Sequence, residues 1–246
     1  QLFAQFIPNC VSYDPTFHYE VAVIVHEGMR RMFQEQENVF FYLTAMNENY
    51  SHPAMPQGAE EGILKGLYRL REAAKPKGGK KAPRVQLMGS GTILNEVIAA
   101  AELLKDDFDV VADVWSATSF NELTRDGQDV ERWNRLHPEA EPRVSHVERC
   151  LADTEGPVIA ASDYMKAFAE QIRPYVPRAY KVLGTDGFGR SDSREALRRH
   201  FEVDRHHVVV AALKALADEG TVPVSRVTKA IRQYEIDADK PNPVRA

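Results

Sequence analysis

The sequence predicts an α/β fold in which a mostly parallel sheet is flanked by helices. The main observation is that, from residue 85 onward, short apolar runs alternate with segments whose apolar residues recur at helical spacing. Four apolar runs are predicted as strands, at residues 85–88, 110–115, 157–160 and 180–183. Glycine follows the first and the last of them, as expected where a strand turns into the next helix. Strand–helix alternation of this kind is typical of parallel sheets.

A separate α/β block precedes this region. Residues 9–13 are predicted to be extended, and residues 19–33 to form a helix with one apolar face. Asp14 and Thr16 are plausible caps for that helix. Residues 38–46 are almost continuously apolar, which predicts a strand in a sheet that is covered on both faces.

A basic linker joins the two blocks. A helix is predicted at residues 60–74, and the linker follows at residues 75–83 with two prolines and two glycines. Residues 75–84 contain five cations, which could bind an anion. A solvated, exposed loop is the favoured interpretation.

Helices account for most of the second block. They are predicted at residues 92–105, 163–173, 194–201, 206–219 and 227–234. Ser162 is the expected cap of the second, and Asp192 with Glu195 has the spacing of a capping box before the third. Gly220 is expected to end the fourth.

Composition excludes several classes of function. The 246 residues carry a net charge of −5 and are 43% hydrophobic, so the chain can bury a core and gives no electrostatic reason to bind nucleic acid. No apolar run approaches the roughly 20 residues that cross a bilayer.

The sequence starts at Gln1, without a methionine, and its first residues resemble the interior of a domain. We expect the chain to be a fragment of a longer polypeptide.

Two glycine-rich segments are candidate binding loops. Residues 89–92 (Gly-Ser-Gly-Thr) follow a strand and open a helix, where backbone N–H groups could hold a phosphate. They lack the third glycine of a dinucleotide fingerprint and the lysine of a P-loop, so a tight turn capped by Thr92 is favoured.

Residues 184–190 (Gly-Thr-Asp-Gly-Phe-Gly-Arg), here called the glycine loop, could bind a ligand through Asp186 and Arg190, or these two could pair. A fixed loop packed against another domain or subunit is favoured.

The histidines and cysteines form no recognisable catalytic or metal-binding pattern. His206 and His207 are adjacent and should point apart on a helix, whereas ligands on one face need a spacing of three or four. His200 is expected on a helix surface. Single histidines at 18, 26 and 52 could lie near a domain boundary. Cys10 and Cys150 are expected to be free thiols.

Residues 118–134 form a polar stretch after the second strand. Loops at this position in open α/β sheets often carry ligands. Phe120, Leu123 and Trp133 instead indicate a short helix with anchoring aromatic side chains, and an interface role is favoured.

These segments carry a resemblance to a known family. Residues 183–195, with residues 200–204, closely resemble the C-terminal domain of the thiamine-diphosphate-dependent pyruvate dehydrogenase component of homodimeric bacterial enzymes. The similarity runs in one register from about residue 7 to the C-terminus. Further matching segments are residues 19–24, 47–50, 56–62, 161–171 and 236–243. The basic linker is the chief departure, since it is longer and more basic than usual.

The resemblance implies two domains and an enzymatic parent protein. Residues 1–57 would be the end of a pyrimidine-binding middle domain, and residues 58–246 a transketolase-type C-terminal domain with an exposed basic loop at residues 75–84. The parent would decarboxylate pyruvate on thiamine diphosphate and reductively acetylate the lipoyl group of the acetyltransferase core. The alternative is another transketolase-type thiamine-diphosphate enzyme, or a non-catalytic assembly module.

The resemblance also indicates where the catalytic groups lie. In this family the activating glutamate, the magnesium ligands and the active-site histidines belong to earlier domains, so no catalytic, cofactor-binding or metal-binding residue is assigned to this chain. We expect a structural and dimer-interface role, and no activity of the fragment alone. The expected partners are a second copy of the polypeptide and the dihydrolipoyl acetyltransferase core, with no nucleic acid or membrane, in the cytoplasm.

Overall fold

Two parallel strands form a small sheet near the start of the chain. The computed structural model describes residues 1–73 and 82–245. The first elements are α1 (Leu2–Gln5), β1 (Cys10–Tyr13), α2 (His18–Met29) and β2 (Phe40–Leu43). β1 and β2 pair in parallel. Helix α2 continues directly into a π-helical segment, Arg30–Gln34, so the predicted helix at residues 19–33 is confirmed.

Strand β2 is shorter and more exposed than predicted. It spans four residues instead of residues 38–46, and Phe40 and Tyr42 are exposed while their neighbours are half-buried. The prediction of a strand covered on both faces is wrong for this chain, because the described residues leave one side of β2 open.

Five strands form the main sheet, in the order β3-β5-β4-β6-β7. They are β3 (Tyr68–Arg71), β4 (Arg84–Gly89), β5 (Val111–Ser116), β6 (Val158–Ala161) and β7 (Tyr180–Leu183). All neighbours pair in parallel except β3, which runs antiparallel to β5 at the edge. The four strands predicted from apolar runs are therefore present, and the mostly parallel sheet is confirmed.

The edge strand β3 was predicted as the second half of a helix. The observed helix, α3 (Glu60–Lys65), ends at Gly66, which adopts the left-handed conformation with φ +99°. A Cβ at this position would lie 2.4 Å from the carbonyl oxygen of Ser119, so the backbones approach too closely for a side chain. The chain then extends and pairs with β5, and the predicted helix at residues 60–74 is wrong beyond residue 65.

Helices cover both faces of the main sheet. They are α4 (Ile93–Phe108), α5 (Phe120–Leu136), α6 (His146–Leu151), α7 (Lys166–Glu170), α8 (Arg194–His200), α9 (Arg205–Asp218) and α10 (Val224–Gln233). Helices α4, α9 and α10 pack on one face, and α5, α6 and α7 on the other. Leu87 and Met88 of β4 belong to the two opposite cores and are both fully buried. Among the helices of residues 1–73 and 82–245, none combines the length and the apolar character that a membrane span requires.

Two of the helical predictions need correction, and one helix was missed. Helix α5 has 17 residues and is not short. Helix α6 was not predicted. Helix α7 has five residues in place of the predicted 163–173, and the residue at its start is Met165. Ser162 is not its cap, because the Ser162 hydroxyl lies 3.3 Å from the backbone nitrogen of Tyr164 and accepts its hydrogen bond instead.

Most of the predicted basic loop, residues 75–81 of 75–84, lies outside the described residues. Its last cation, Arg84, opens β4. The Arg84 guanidinium lies 3.5 Å from the buried Asp113 carboxylate on the neighbouring strand. This cation is therefore committed to the sheet.

Candidate functional site

The carboxyl ends of the two sheets face each other, and Asp14 lies between them. Asp14 follows β1. Its backbone nitrogen donates to the carbonyl oxygen of Thr118 at 2.7 Å, and the backbone nitrogen of Gly91 donates to the carbonyl oxygen of Asp14 at 3.1 Å. The Thr44 hydroxyl, after β2, donates to Asp14 Oδ1 at 2.6 Å. The Thr16 hydroxyl donates to the Gly91 carbonyl at 2.7 Å. We call the contact of Asp14 and Thr16 with Gly91 and Thr118 the junction.

The junction occupies the crevice where open α/β sheets usually bind ligands. Strands β5 and β6 lie on opposite sides of β4, so the topological switch point is at the carboxyl end of β4. Gly91 has φ +50°, and a Cβ there would lie 2.8 Å from a carboxylate oxygen of Asp14. The turn at residues 89–92 therefore presses against a carboxylate. This arrangement favours the structural interpretation of the turn over a phosphate site, since a bound anion would meet that charge.

Burial of Asp14 alters its protonation. The residue is only 3% exposed, and its Oδ2 has no hydrogen-bond partner among the described residues. Burial raises the pKa of the carboxyl group from 3.8 to about 6, although the hydrogen bond from the Thr44 hydroxyl opposes the rise. Asp14 was predicted to cap α2, and this is wrong, because Phe17 occupies the N-cap position and Asp14 faces the other sheet.

A second buried carboxylate, Glu20, ties α2 to the main sheet. It is fully buried and accepts four hydrogen bonds. The hydroxyls of Tyr68 and Ser116 donate to Oε1 at 2.7 and 2.6 Å. The backbone nitrogens of Thr16 and Phe17 donate to Oε2 at 2.5 and 2.9 Å. Since every oxygen lone pair of this carboxylate faces a donor, Glu20 is a structural group.

The base of the glycine loop is fixed by contacts with the connection after β6. The Thr185 backbone nitrogen and hydroxyl donate to the carbonyl oxygens of Tyr164 and Asp163, each at 2.9 Å. Asp186 accepts from the backbone nitrogen of Lys166 at 3.1 Å, and the ammonium of Lys166 lies 3.6 Å from it. Asp186 is therefore paired with Lys166, and the considered pairing of Asp186 with Arg190 is absent from the described contacts.

The predicted capping box before α8 is also wrong. Ser193 is the N-cap, and its hydroxyl accepts from the backbone nitrogen of Ala196 at 3.2 Å. Asp192 accepts from the backbone nitrogen of Ser193 instead. The cap lies one residue later than predicted.

Replacing Gly187 by alanine is expected to destabilise the protein by about 2 kcal/mol. Gly187 has φ +110°, and a Cβ would lie 2.5 Å from the carbonyl oxygen of Pro243 in the C-terminal segment. Urea unfolding followed by circular dichroism measures the effect. Gly189 is the matched control: nothing lies within 4 Å of a Cβ there, so Gly189→Ala should change stability by less than about 0.5 kcal/mol. Equal losses would contradict the close approach at Gly187.

Comparison with known proteins places this geometry in a family. The family model described as "Transketolase-like TK C-terminal domain" matches residues 66–204, more than half of the chain. The chain belongs to the transketolase-like C-terminal domain family. A second family model, "Pyruvate dehydrogenase E1 component middle domain", matches residues 1–53.

Curated relatives extend this result. The chain is 61% identical over 244 residues to the pyruvate dehydrogenase E1 component of Pseudomonas aeruginosa, covering 99% of the chain and 27% of the relative. It is 60% identical over 238 residues to that of Cupriavidus necator, covering 97% of the chain and 26% of the relative. The chain thus spans about a quarter of the length of these relatives. Transketolase from Leishmania mexicana has the same fold, with a TM-score of 0.60 and 16% identity over 90% of the chain and 28% of the transketolase.

The histidines of the transketolase-like domain have structural contacts. His207 Nδ1 lies 2.7 Å from Asp204 Oδ1, and His206 Nδ1 lies 3.9 Å from Asp204 Oδ2 while its ring lies over Tyr234. The prediction that the adjacent pair points apart is therefore wrong, because both rings reach the carboxylate of Asp204, the N-cap of α9. His200 ends α8 and is half-buried, not on the surface. Within residues 1–73 and 82–245, no three His, Cys, Asp or Glu side chains converge to hold a metal.

The three single histidines that were expected near a domain boundary lie in the N-terminal part. His18 and His52 meet with ring centroids 4.8 Å apart, and His26 lies in the last turn of α2. His18 and His52 are exposed, and among the described residues they belong to no group of side chains that could hold a metal.

Neither cysteine is activated as a nucleophile. Cys150 Sγ lies 3.5 Å from His146 Nε2, but this nitrogen also lies 2.8 Å from the carbonyl oxygen of Leu67, so it carries the proton and cannot accept one from the thiol. Both are free thiols, as predicted. Burial raises the pKa of the Cys150 thiol to about 11 and raises that of Cys10 as well. A thiol with a raised pKa is mostly protonated near neutral pH and therefore a weak nucleophile.

The polar stretch at residues 118–134 is anchored as predicted at one end. Phe120 and Leu123 are fully buried beneath the sheet. Trp133, further along α5, stacks on His137 at 4.5 Å between ring centroids, and the Arg143 guanidinium lies 4.0 Å from the Trp133 ring. The interface role of this segment stays a prediction.

Proposed function

We propose that this chain is the C-terminal part of a pyruvate dehydrogenase E1 component. In this proposal the whole polypeptide decarboxylates pyruvate on thiamine diphosphate and reductively acetylates a lipoyl group. The observation that carries the proposal is 60–61% identity to E1 components across 97–99% of the chain. The coenzyme supplies the electron sink for decarboxylation, and the protein supplies binding and orientation.

The chain would contribute two pieces of this enzyme. Residues 1–57 would be the end of the pyrimidine-binding middle domain, and residues 58–246 the C-terminal domain. The family matches at residues 1–53 and 66–204 support this division. The carboxylate of Glu20 and the backbone of Asp14 would hold the middle domain against the C-terminal domain, which supports a structural role for these residues.

The described residues do not fit the coenzyme. A diphosphate needs N–H donors or cations, and magnesium needs a set of oxygen ligands. The turn at residues 89–92 faces the Asp14 carboxylate, and the described side chains form no metal-binding group. We therefore propose that other regions of the polypeptide bind thiamine diphosphate and magnesium, and that this chain supplies no catalytic residue.

The N-terminal part offers a surface for protein contacts. Phe3 and Phe6 are 85% and 78% exposed, and Phe33, Met29 and Tyr42 are exposed as well. Apolar side chains at this density usually mark an interface. We propose that the rest of the middle domain and a second copy of the polypeptide cover this region, and that the enzyme works in the cytoplasm with the dihydrolipoyl acetyltransferase core as its partner.

Pyruvate-dependent dye reduction, with thiamine diphosphate and magnesium present, tests the proposal. The protein at its natural length should reduce the dye with pyruvate, and the 246-residue chain should not. Calorimetric titration of the chain with thiamine diphosphate should give no saturable heat. Turnover by the chain alone would contradict the proposed location of the catalytic groups. Activity with 2-oxoglutarate or a ketose phosphate in place of pyruvate would instead show a different transketolase-type enzyme.

A further inference from the structure

A cavity of about 300 Å³ opens beside the junction, at the carboxyl ends of β6 and β7. The connection after β6 contributes Asp163, the glycine loop contributes Thr185 and Arg190, and α8 contributes Arg194 and Arg198. This edge of an α/β sheet is where ligands commonly bind. The volume is at the lower end of the roughly 300–1,000 Å³ typical of small-molecule pockets.

The three arginines of the cavity differ in how they are held. Arg198 lies between Glu48 at 2.6 Å and Glu96 at 3.4 Å, so its charge is compensated. Arg194 donates a hydrogen bond to the carbonyl oxygen of Asn47 and makes a longer ion pair, 3.7 Å from Glu48. Arg190 is exposed and makes no ion pair with any described residue. The Arg190 guanidinium is therefore free to pair with a ligand, and the Arg194 guanidinium, which has five N–H donors, uses only some of them in these contacts.

The glycine loop adds uncommitted hydrogen-bond donors next to Arg190. Its base is tied down at Thr185 and Asp186, as described above. The backbone N–H groups of residues 187–190 donate to no described acceptor, and Gly187 and Gly189 line the cavity. Open space surrounds the Cα of Gly189, so a ligand can approach the backbone closely there. Arginine together with free backbone N–H groups is a typical environment for phosphoryl oxygens.

Part of the cavity lining is apolar. It consists of Met46, Leu197, Phe201 and the fully buried Val203. Asp163 is the one carboxylate of the lining, and burial raises its pKa while Arg198 opposes the rise. An anion in the cavity is thus attracted by Arg190 and Arg194 and repelled by Asp163.

We propose that this cavity binds a small organic phosphate. The phosphoryl group lies against Arg190, Arg194 and the N–H groups of the glycine loop, and the organic part packs on Met46, Leu197 and Phe201. The planar guanidinium groups suit the bidentate recognition of a phosphoryl group. The proposal does not depend on the proposed reaction.

Calorimetric titration with phenyl phosphate tests the site. Phenyl phosphate combines a phosphoryl group with an apolar ring, and benzoate is the carboxylate counterpart. The protein at its natural length is titrated at constant ionic strength with thiamine diphosphate and magnesium present, so that the proposed coenzyme site is filled. We expect saturable binding of phenyl phosphate that is tighter than that of benzoate. Absence of saturable binding, or tighter binding of benzoate, would overturn the proposal.

Three variants identify the binding residues. Arg190→Gln should weaken phenyl phosphate binding roughly tenfold or more, because a charge-assisted hydrogen bond is lost. Asp163→Asn should tighten it, because a repelling charge is removed, and a misfolded variant could not mimic this gain. Arg232→Gln, on the exposed side of α10, is the control and should have no effect. Unchanged affinity in Arg190→Gln, or an equal loss in Arg232→Gln, would overturn the assignment.

Discussion

Replacing Glu20 by alanine is expected to lower the free energy of unfolding by about 4 kcal/mol. The change leaves the hydroxyls of Tyr68 and Ser116 and two backbone N–H groups without their acceptor in a fully buried environment. Each unsatisfied buried donor costs about 1–3 kcal/mol, and rotation of the hydroxyls recovers part of this. Urea unfolding at neutral pH, followed by circular dichroism, measures the loss.

Two further variants separate the hydrogen bonds of Glu20 from other effects. Glu20→Gln keeps one acceptor oxygen, but its NH₂ group replaces the other oxygen and faces the two donors that bind there. It should therefore lower the free energy of unfolding, but by less than Glu20→Ala. Glu61→Ala removes an exposed glutamate of α3 that pairs with Lys65, and it should change stability by less than about 0.5 kcal/mol. A loss below about 1 kcal/mol in Glu20→Ala would contradict the role assigned to this carboxylate.

The parts of the fold predicted correctly are those encoded by local patterns. The run at residues 180–183 coincides with β7, because a short, mainly apolar segment bounded by turn residues is sufficient to identify a strand, even at the edge of the sheet, where Lys181 is exposed. Helix α9 lies at residues 205–218, next to the predicted 206–219, since its apolar spacing and the following Gly220 are both local signals. Resemblance to a family then supplied the arrangement of these elements.

Predictions failed where a distant contact overrides the local pattern. Gly66 ends α3 because the backbone of Ser119 approaches it, and nothing near residue 66 reveals that approach. Helix α5 continues through Gly127, although glycine after aspartate usually indicates a turn. A Cβ at Gly127 would lie 2.4 Å from the ring of Tyr175, so the glycine makes room for a packed side chain.

The contacts of Glu20 and of the junction could not be predicted either, because their partners are distant in the sequence. Glu20 stands in the first turn of α2, where an acidic residue is favourable, but two of its partners are 48 and 96 positions away in the sequence. Asp14 likewise resembles a helix cap when only its neighbours are considered. Only the fold places it at the carboxyl ends of both sheets, where its charge is costly.

Replacing Asp14 by asparagine is expected to make the stability of the protein less dependent on pH. Because burial raises the pKa of Asp14 from 3.8 to about 6, the folded state binds a proton more tightly than the unfolded state. The protonated form of Asp14 therefore favours the folded state relative to the ionised form. This contribution to the free energy of unfolding is complete below the pKa that Asp14 has in the unfolded state, and it is lost as the pH rises through the pKa of the folded state. With about 1.4 kcal/mol for each pKa unit, ionised Asp14 destabilises the folded protein by about 3 kcal/mol at neutral pH.

The free energy of unfolding, measured by urea titration between about pH 4 and pH 7, tests this linkage. The free energy of unfolding of Asp14→Asn, minus that of the parent protein, should increase by up to about 3 kcal/mol as the pH rises across this range. All other titrating groups are common to both proteins, so the difference isolates Asp14. Asp14→Ala should show the same increase from a lower starting stability, because it loses the charge and also the Thr44 hydrogen bond. Parallel curves for the parent and both variants would show that the Asp14 pKa is not raised.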